Sequence, residues 1–237
     1  MISHFLPLGF AVLASATPIS FLPNNLYPAT SSSTGFILIA NVTDPTRDLS
    51  PSINHFQLTG VHIGAGLETA VLSHNAGRTL YENGSTPDSI GIAADSVGDG
   101  YYPYGLRIGP LPSDQPDASY VQYVGINIGT AQQGVGITTT NSSVDQPWLE
   151  LYGPDNGTFI VCLEAHPVYG RPQYPVRFAK IVMVGGVAYQ QIPAACVAIT
   201  LVPQCAALGN PPPDAVYNHE YARTVRCFDD VASVRWS

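Results

Sequence analysis

Turn-forming residues interrupt this chain so frequently that they exclude long helices. The 237 residues include 22 glycines and 21 prolines, which separate short runs rich in Val, Ile, Thr and Tyr. Short β-branched and aromatic runs bounded by turn residues are typical of β-strands, whereas an amphipathic helix needs a longer uninterrupted stretch. The pattern therefore predicts an all-β fold.

Apolar and polar residues alternate within several of these runs, which indicates strands that point one face inward. The candidate strands are residues 36–42, 57–63, 69–73, 78–82, 105–108, 120–128, 134–140, 148–152, 158–162, 176–184 and 197–202. A chain of about 11–12 short strands without intervening helices predicts a single-domain barrel, which could be trefoil-like, or a sandwich.

The N-terminal segment has the features of a secretory signal peptide. Residues 5–13 are an apolar core, and small residues suited to cleavage follow at Ala14 and Ala16. We therefore expect a signal peptide over residues 1–16 and a flexible leader, rich in Ser and Pro, over residues 17–34. The β domain is expected to occupy residues 35–206.

A proline run separates the C-terminal tail from this β domain. Residues 207–237 contain three consecutive prolines that end at Pro213, and such a run is stiff because proline fixes its own φ angle. Beyond it, Asp214 could cap a short helix over residues 215–225. We expect a short helical or irregular tail, which a disulfide through Cys227 would fasten to the β domain.

The charge of the chain excludes two classes of partner. Charged residues make up 11% of the sequence, the net charge is −8, and Lys180 is the only lysine. A nucleic-acid or anionic-membrane binder needs clustered cations, and the arginines here are scattered. No stretch after the signal peptide reaches the roughly 20 apolar residues that span a bilayer. We expect neither nucleic acid nor a membrane as partner.

Two further features agree with export. N-glycosylation sequons begin at Asn41, Asn83, Asn141 and Asn156, and the four cysteines are Cys162, Cys196, Cys205 and Cys227. An even number of cysteines in an exported chain predicts two disulfides, because the secretory compartment is oxidising. The protein is therefore predicted to be a secreted, N-glycosylated, disulfide-bonded protein.

The strand pattern constrains which cysteines pair. Cys196 and Cys205 flank a single candidate strand and would lie about 30 Å apart at ~3.3 Å per residue. A disulfide needs Cα atoms within about 7 Å, so these two are not partners. If the last three candidate strands form an antiparallel meander, Cys162 and Cys205 lie at the same end. This geometry favours the pairs Cys162–Cys205 and Cys196–Cys227.

No catalytic motif in the sequence is complete. Ser96 lies in a segment similar to a nucleophile elbow, but Ala94 occupies a position where that turn requires glycine. The glycine-rich residues 62–69 lack the rest of a phosphate loop and are better explained as a hairpin. His219 begins a zinc-protease pattern, but Arg223 occupies the place of the second histidine.

Other residues could form a site only if the fold brought them together. The further candidate histidines are His55, His62, His74 and His166. The carboxylates from which a glycosidase pair could come are Asp95, Asp99, Asp114, Asp117, Glu150 and Glu164. Tyr101, Tyr102 and Tyr104 could stack on sugar rings or pack a turn. None of these sets has a distinguishing neighbourhood, so we assign no catalytic residue, metal or cofactor.

Several segments of the chain resemble a family of fungal secreted proteins. Many members of that family are uncharacterised, and some are called IgE-binding proteins. The resemblance covers residues 35–206. The segments that carry it are Phe36-Ile-Leu-Ile-Ala-Asn-Val-Thr-Asp-Pro45, Asp48-Leu-Ser-Pro51, Gly60-Val-His-Ile-Gly-Ala-Gly66, Ala70-Val-Leu72, Tyr81-Glu-Asn-Gly84, Pro103-Tyr-Gly-Leu106, Phe159-Ile-Val-Cys162 and Cys196-Val-Ala-Ile-Thr-Leu-Val-Pro-Gln-Cys205.

The resemblance implies an extracellular or cell-wall-associated fungal protein with a β-rich fold, and it supplies no catalytic residues. An IgE-binding label describes a host antibody response rather than a role in the fungus. The first hypothesis is therefore a non-catalytic surface or secreted glycoprotein that is antigenic or binds a partner, which could be a cell-wall polysaccharide or a host protein. The alternative is a secreted hydrolase of glycosidase or esterase type.

Overall fold

The computed structural model describes residues 28–96, 101–109, 120–138, 150–153, 156–165 and 170–234. The fold is all-β: of the described residues, 52% lie in strands and 5% in helices, and no helix among them reaches seven residues. The all-β prediction is confirmed.

The elements follow one another as short strands with brief 3₁₀ turns. In chain order they are β1 (Thr30–Ser33), β2 (Gly35–Val42), η1 (Pro45–Arg47), β3 (Gln57–Gly64), β4 (Leu67–Ser73), β5 (Leu80–Asn83), η2 (Pro87–Ser89), β6 (Gly91–Ala94), β7 (Tyr104–Gly109), β8 (Val121–Ile128), β9 (Gly136–Ile137), β10 (Leu151–Tyr152), β11 (Gly157–Cys162), β12 (Glu164–Ala165), β13 (Pro172–Gln173), β14 (Val176–Lys180), β15 (Val182–Val184), β16 (Val187–Tyr189), β17 (Cys196–Ala206), β18 (Ala222–Arg223), β19 (Val225–Phe228) and η3 (Val231–Ser233).

Eight strands close an antiparallel barrel. Around the wall they run β2, β17, β11, β14, β8, β7, β6 and β5, and β5 pairs again with β2. The β3–β4 hairpin also pairs with both β2 and β8, at Ile39↔Gln57 and Thr69↔Gly125. Of the architectures left open by the sequence, the structure is therefore the barrel.

Buried apolar side chains from the barrel strands fill its interior. They include Phe36 and Leu38 of β2, Leu80 of β5, Ile92 of β6, Leu106 of β7, Ile126 of β8, Val161 of β11, Phe178 of β14 and Leu201 of β17. Alternate residues of a strand share a face, so the opposite face of β2 and β17 points outward. There Ile39 and Val202 are also buried, because Phe228 and Val231 of the tail pack over them.

The N-terminal and C-terminal segments pair with each other. Residues 30–33, part of the predicted flexible leader over 17–34, form β1, which is antiparallel to β19. The helix considered for residues 215–225 is absent. Part of that segment forms β18, which pairs with β5, and β19 follows it. A short isolated helix is marginal in water, whereas strands at open sheet edges gain ladder hydrogen bonds.

All four cysteines form disulfides, as predicted, but the predicted pairing is wrong. The bonds are Cys162–Cys196 and Cys205–Cys227. The meander assumption fails because β11, not β14, is the central strand, and both β14 and β17 run antiparallel to it. The β15–β16 hairpin lies between them in sequence, and Cys196 consequently faces Cys162 in the β11–β17 register.

Candidate functional site

Two cavities in the described part of the protein share one side chain, Tyr152 of β10. The larger cavity has a volume of about 860 Å³ and is also lined by Glu150 and Asn156. The smaller cavity, of about 480 Å³, is also lined by Glu82 and Arg223. Beside Tyr152, β10 and its partner β9 place Leu151 and Ile137 in the main core, which fixes the strand pair against the barrel. We call these two spaces the cavity pair.

Glu82 is the most deeply buried polar group of the smaller cavity. It follows Leu80 by two residues on β5 and so shares the inward face, where it is 6% exposed. Its Oε1 accepts a hydrogen bond from the Ile137 N–H at 2.6 Å, and its Oε2 lies 3.8 Å from Arg223 Nε. Burial raises the pKa of the Glu82 carboxyl, while the Ile137 N–H and Arg223 partly oppose that rise.

Tyr152 and Glu150 bring two further titratable groups to the cavity pair. The Tyr152 ring is 38% exposed, and burial followed by the charge of Glu82 raises the pKa of its hydroxyl. Burial also raises the pKa of Glu150. The backbone of Glu150 is held by Thr138, whose N–H donates to the Glu150 carbonyl at 2.9 Å.

Two guanidinium groups line the smaller cavity. Arg223 on β18 faces Glu82 in the strand register, and its side chain is 41% exposed. Arg226 on β19 lines the same cavity and donates from Nη2 to Thr30 Oγ1 at 2.8 Å. With the hydroxyl of Tyr152, these guanidinium groups present several donors around one buried acceptor, Glu82. Such a polar set beside an exposed ring can orient a hydroxyl-rich ligand.

The structure brings together Asp95, Ser96 and His219, which the sequence singled out separately. His219 Nε2 lies 2.7 Å from Asp95 Oδ1, and the Ser96 hydroxyl lies 3.3 Å from Tyr217 Oη. In a catalytic triad the acid and the nucleophile contact opposite nitrogens of the histidine. Here the serine hydroxyl instead contacts Tyr217, so these contacts do not form a triad. They join the end of β6 to the tail.

Tyr81 forms the buried side of this junction. Its ring centroid is 4.8 Å from that of His219, and burial, followed by the charges of Asp95 and Tyr217, raises the pKa of its hydroxyl. The junction is therefore explained as packing of the tail on β5 and β6.

The predicted hairpin over residues 62–69 is present as the turn between β3 and β4. Gly66 adopts a φ of +69°, a conformation that favours glycine.

On β4, Glu68 forms a buried ion pair with Arg78, Oε2 to Nη1 at 2.6 Å. Arg78 also donates to the Asp95 carbonyl and lies 4.6 Å from the centroid of the Tyr104 ring.

The remaining candidate side chains that the structure describes do not converge. Glu164 pairs with Arg177 at 2.8 Å, and His74 packs edge-on against Phe56. Tyr101 and Tyr102 are exposed, whereas Tyr104 packs under Arg78. Asp99, Asp114, Asp117 and His166 lie outside the described residues. Within the described ranges, no three His, Cys, Asp or Glu side chains are grouped so as to hold a metal ion.

The four sequons differ in accessibility. Asn41 is 7% exposed, and its Nδ2 donates to Thr200 Oγ1 at 3.3 Å, so its amide is poorly placed for a glycan. Asn83 is half-buried at the end of β5. Asn156 is exposed immediately before β11, and Asn141 lies outside the described residues.

Sequence reasoning missed the residues that define the smaller cavity. In the sequence, Glu82 is identified only as the end of candidate strand 78–82 and part of a family segment, and Arg223 only as the residue that breaks a zinc motif. The available signal was a charged residue on the inward face of a strand, two positions after Leu80. Arg223 had no such signal, because only the pairing of β18 with β5 brings it to Glu82.

Comparison with known proteins shows the relationships of the chain. It matches the family described as "Domain of unknown function (DUF7907)" over residues 33–205. It is 33% identical over 221 residues to "Antigenic protein SchS34" of Stachybotrys chartarum, covering 91% of this chain and 94% of that protein. No solved structure matches the chain.

The match covers nearly the same residues as the family resemblance, 35–206, that the sequence segments indicated. The predicted resemblance to an uncharacterised fungal family with an antigenic member is confirmed. IgE binding, secretion and glycosylation stay predictions. Among the described residues, no helix has both the length and the apolar character needed to cross a bilayer. The matched region and the fungal relative together show that this chain belongs to the DUF7907 family.

Proposed function

We propose that the protein is a secreted or cell-wall-associated fungal glycoprotein that binds polysaccharide without cleaving it and is antigenic to a host. The observation that carries the binding proposal is the cavity pair, in which an exposed tyrosine lies between polar groups. Two disulfides and an antigenic relative support an extracellular location.

The chemistry of the smaller cavity suits a saccharide. A sugar ring offers an apolar C–H face, which a tyrosine ring can cover, and hydroxyls that need both donors and acceptors. Tyr152 supplies the ring, Glu82 the acceptor, and the guanidinium groups of Arg223 and Arg226 supply donors. Volumes of about 480 and 860 Å³ lie within the range of small-ligand sites, roughly 300–1,000 Å³.

Retention on insoluble polymers tests the binding proposal. The purified protein is incubated with chitin and with β-glucan, and the bound fraction is measured after washing. Tyr152→Ala should weaken binding about fivefold, because an aromatic contact of this kind contributes about 1 kcal/mol. Tyr189→Ala is the matched control, since Tyr189 is exposed on β16 and lines neither cavity. No retention of the wild-type protein on either polymer would exclude these ligands.

A secreted hydrolase remains the second candidate, and one observation favours it. Glu82 and Glu150 are two carboxyl groups whose pKa values burial raises, and both border the cavity pair. Glycosidases use two carboxyl groups, one of them protonated. Release of reducing sugar from soluble oligosaccharides, abolished in Glu82→Gln and in Glu150→Gln, would establish hydrolysis. Binding without release would support the non-catalytic proposal.

The antigenic part of the proposal needs its own assay. Sera from individuals exposed to the fungus are tested against the native protein and against protein reduced and alkylated at both disulfides. Antibody binding to the native form supports the proposal, and a loss on reduction places the epitopes on the folded barrel. Absence of binding to either form contradicts it.

A further inference from the structure

Asn156 is both the exposed sequon of the described residues and part of the wall of the larger cavity. The residue precedes β11 directly, and its carbonyl accepts the Ile181 N–H at 2.9 Å, so its backbone is held in place. The sequon threonine, Thr158, lines the same cavity, and its Oγ1 accepts a hydrogen bond from Gln190 Nε2 at 3.0 Å. A sugar attached to the Asn156 amide therefore starts at the rim of this space.

The cavity wall is suited to an N-acetylated sugar. The Thr43 hydroxyl donates to the Ala198 carbonyl and can still accept a hydrogen bond, whereas the Thr200 hydroxyl accepts from Asn41 and can still donate. Ile192 and Ala198 offer apolar surface. An N-acetylglucosamine presents hydroxyls for the first pair and a methyl group for the second. The cavity, about 860 Å³, lies in the size range of small-ligand sites.

The middle residue of the sequon is also constrained by the fold. A Cβ atom on Gly157 would lie 2.6 Å from the Phe178 ring, and one on Gly153 would lie 2.7 Å from the same ring. Both approaches are shorter than real Cβ contacts, so glycine at these positions lets the chain run close over the buried ring. The backbone of Gly157, directly after Asn156, is thus set by packing on the core.

We infer that Asn156 carries an N-linked glycan whose first sugar packs into the larger cavity, so that the protein's own glycan completes this part of the barrel surface. The inference rests on the proposed export, because N-linked transfer takes place in the secretory pathway. It leaves the smaller cavity as the site for external saccharide.

Peptide mapping and thermal unfolding together test the inference. The full chain is produced by secretion from yeast, and occupancy of Asn156 is read by mass spectrometry after enzymatic deglycosylation in heavy-oxygen water. We expect occupancy, and a melting temperature about 2–4 °C lower after complete glycan removal. Trimming to a single N-acetylglucosamine should preserve the melting temperature, because the first sugar makes the contacts.

Matched variants distinguish the effect of the sugar on the melting temperature from the effect of the asparagine side chain itself. Asn156→Gln should lower the melting temperature of the yeast protein but not of protein made in bacteria, which lacks the glycan. Thr158→Ser keeps the sequon and should keep the sugar. Ala198→Phe places a ring in the cavity where the sugar would pack; it should leave occupancy unchanged and reduce the stabilisation by the glycan.

The outcomes distinguish this inference from the proposed function. An unmodified Asn156 in the secreted protein overturns the inference while secretion stands. Full occupancy with no change of melting temperature on deglycosylation also overturns it, since the sugar then lies in solvent. A chain retained in the cytosol with unmodified sequons contradicts both the inference and the proposed secretion.

Discussion

Glu68 and Glu82 occupy two regions of the barrel with nearly equal burial, 7% and 6% exposed, yet their partners differ. On β4, Glu68 meets Arg78 at 2.6 Å, and that arginine is itself buried. On β5, Glu82 lies 3.8 Å from Arg223, whose side chain is 41% exposed and borders a cavity. Burial of a carboxylate therefore does not by itself identify a binding site; the burial of its partner separates the two cases.

The physical reason lies in desolvation. A buried carboxylate is stable only if close charge-assisted hydrogen bonds replace its lost water. Arg78 supplies such a bond to Glu68, whereas Glu82 receives one backbone N–H and a distant guanidinium. The first region is thus a closed structural pair, and the second retains capacity to bind a ligand.

The largest expected effect comes from breaking the closed pair. Arg78→Met should destabilise the protein by about 3–5 kcal/mol, because Glu68 is left as an unpaired buried charge. Equilibrium unfolding in urea measures the loss. The double variant Glu68→Gln with Arg78→Met should recover a substantial part of it, and a double variant no more stable than the single one would contradict this explanation.

Loss of the tail disulfide should be the next largest effect and should act on the Glu82 region. Replacing Cys205 and Cys227 with serine should cost about 3 kcal/mol, since a loop of 22 residues becomes unconstrained. Hydrogen exchange should speed up in β18 and β19 but not in β3 and β4. Equal acceleration in both regions would show that the tail is not a separate unit.

A smaller effect is expected from Gly60 on β3. A Cβ atom at this position would lie 1.9 Å from Glu68 Oε2, so Gly60→Ala should displace the carboxylate from Arg78 and destabilise by about 1–3 kcal/mol. The same substitution at Gly109 on β7, which has no atom within 4 Å of the added Cβ and no positive φ, is the matched control and should change stability much less. Urea unfolding compares the two variants.

Arg223→Gln should change stability far less than Arg78→Met. The pair with Glu82 is long and its arginine is partly exposed, so screening limits its contribution to about 0–1 kcal/mol. The same variant should weaken polysaccharide retention, whereas Arg171→Gln, at an exposed position outside the cavity pair, should not. A large stability loss with unchanged binding would show that Arg223, like Arg78, has a structural role rather than a binding role.

The smallest effect is a change in pH dependence. Burial raises the pKa of Glu82, so the folded state holds this proton more tightly than the unfolded state does. Stability from this source is present below the ordinary glutamate pKa and is lost as pH rises through the folded value. The melting temperature of Glu82→Gln relative to wild type should therefore increase from pH 4 to pH 7; a difference that does not change with pH contradicts the assignment.

Local pattern predicted the strands of the barrel wall well. Residues 36–42, 57–63 and 197–202 were found within β2, β3 and β17, because alternation and bounding turns are properties of neighbouring residues. β6 was missed because its four residues, Gly91–Ala94, are all apolar or glycine and all buried, and so show no alternation. β18 and β19 were missed because their ladders depend on distant partners.

The sequence by itself determined that this chain is all-β, that its four cysteines are oxidised in pairs, and where most barrel strands lie. Only the tertiary structure decided that β11 lies between β14 and β17, and hence that Cys162 pairs with Cys196. It also decided that Arg223 reaches Glu82. Strand formation follows from local side-chain periodicity, whereas the choice of partner strand depends on which distant surfaces bury each other.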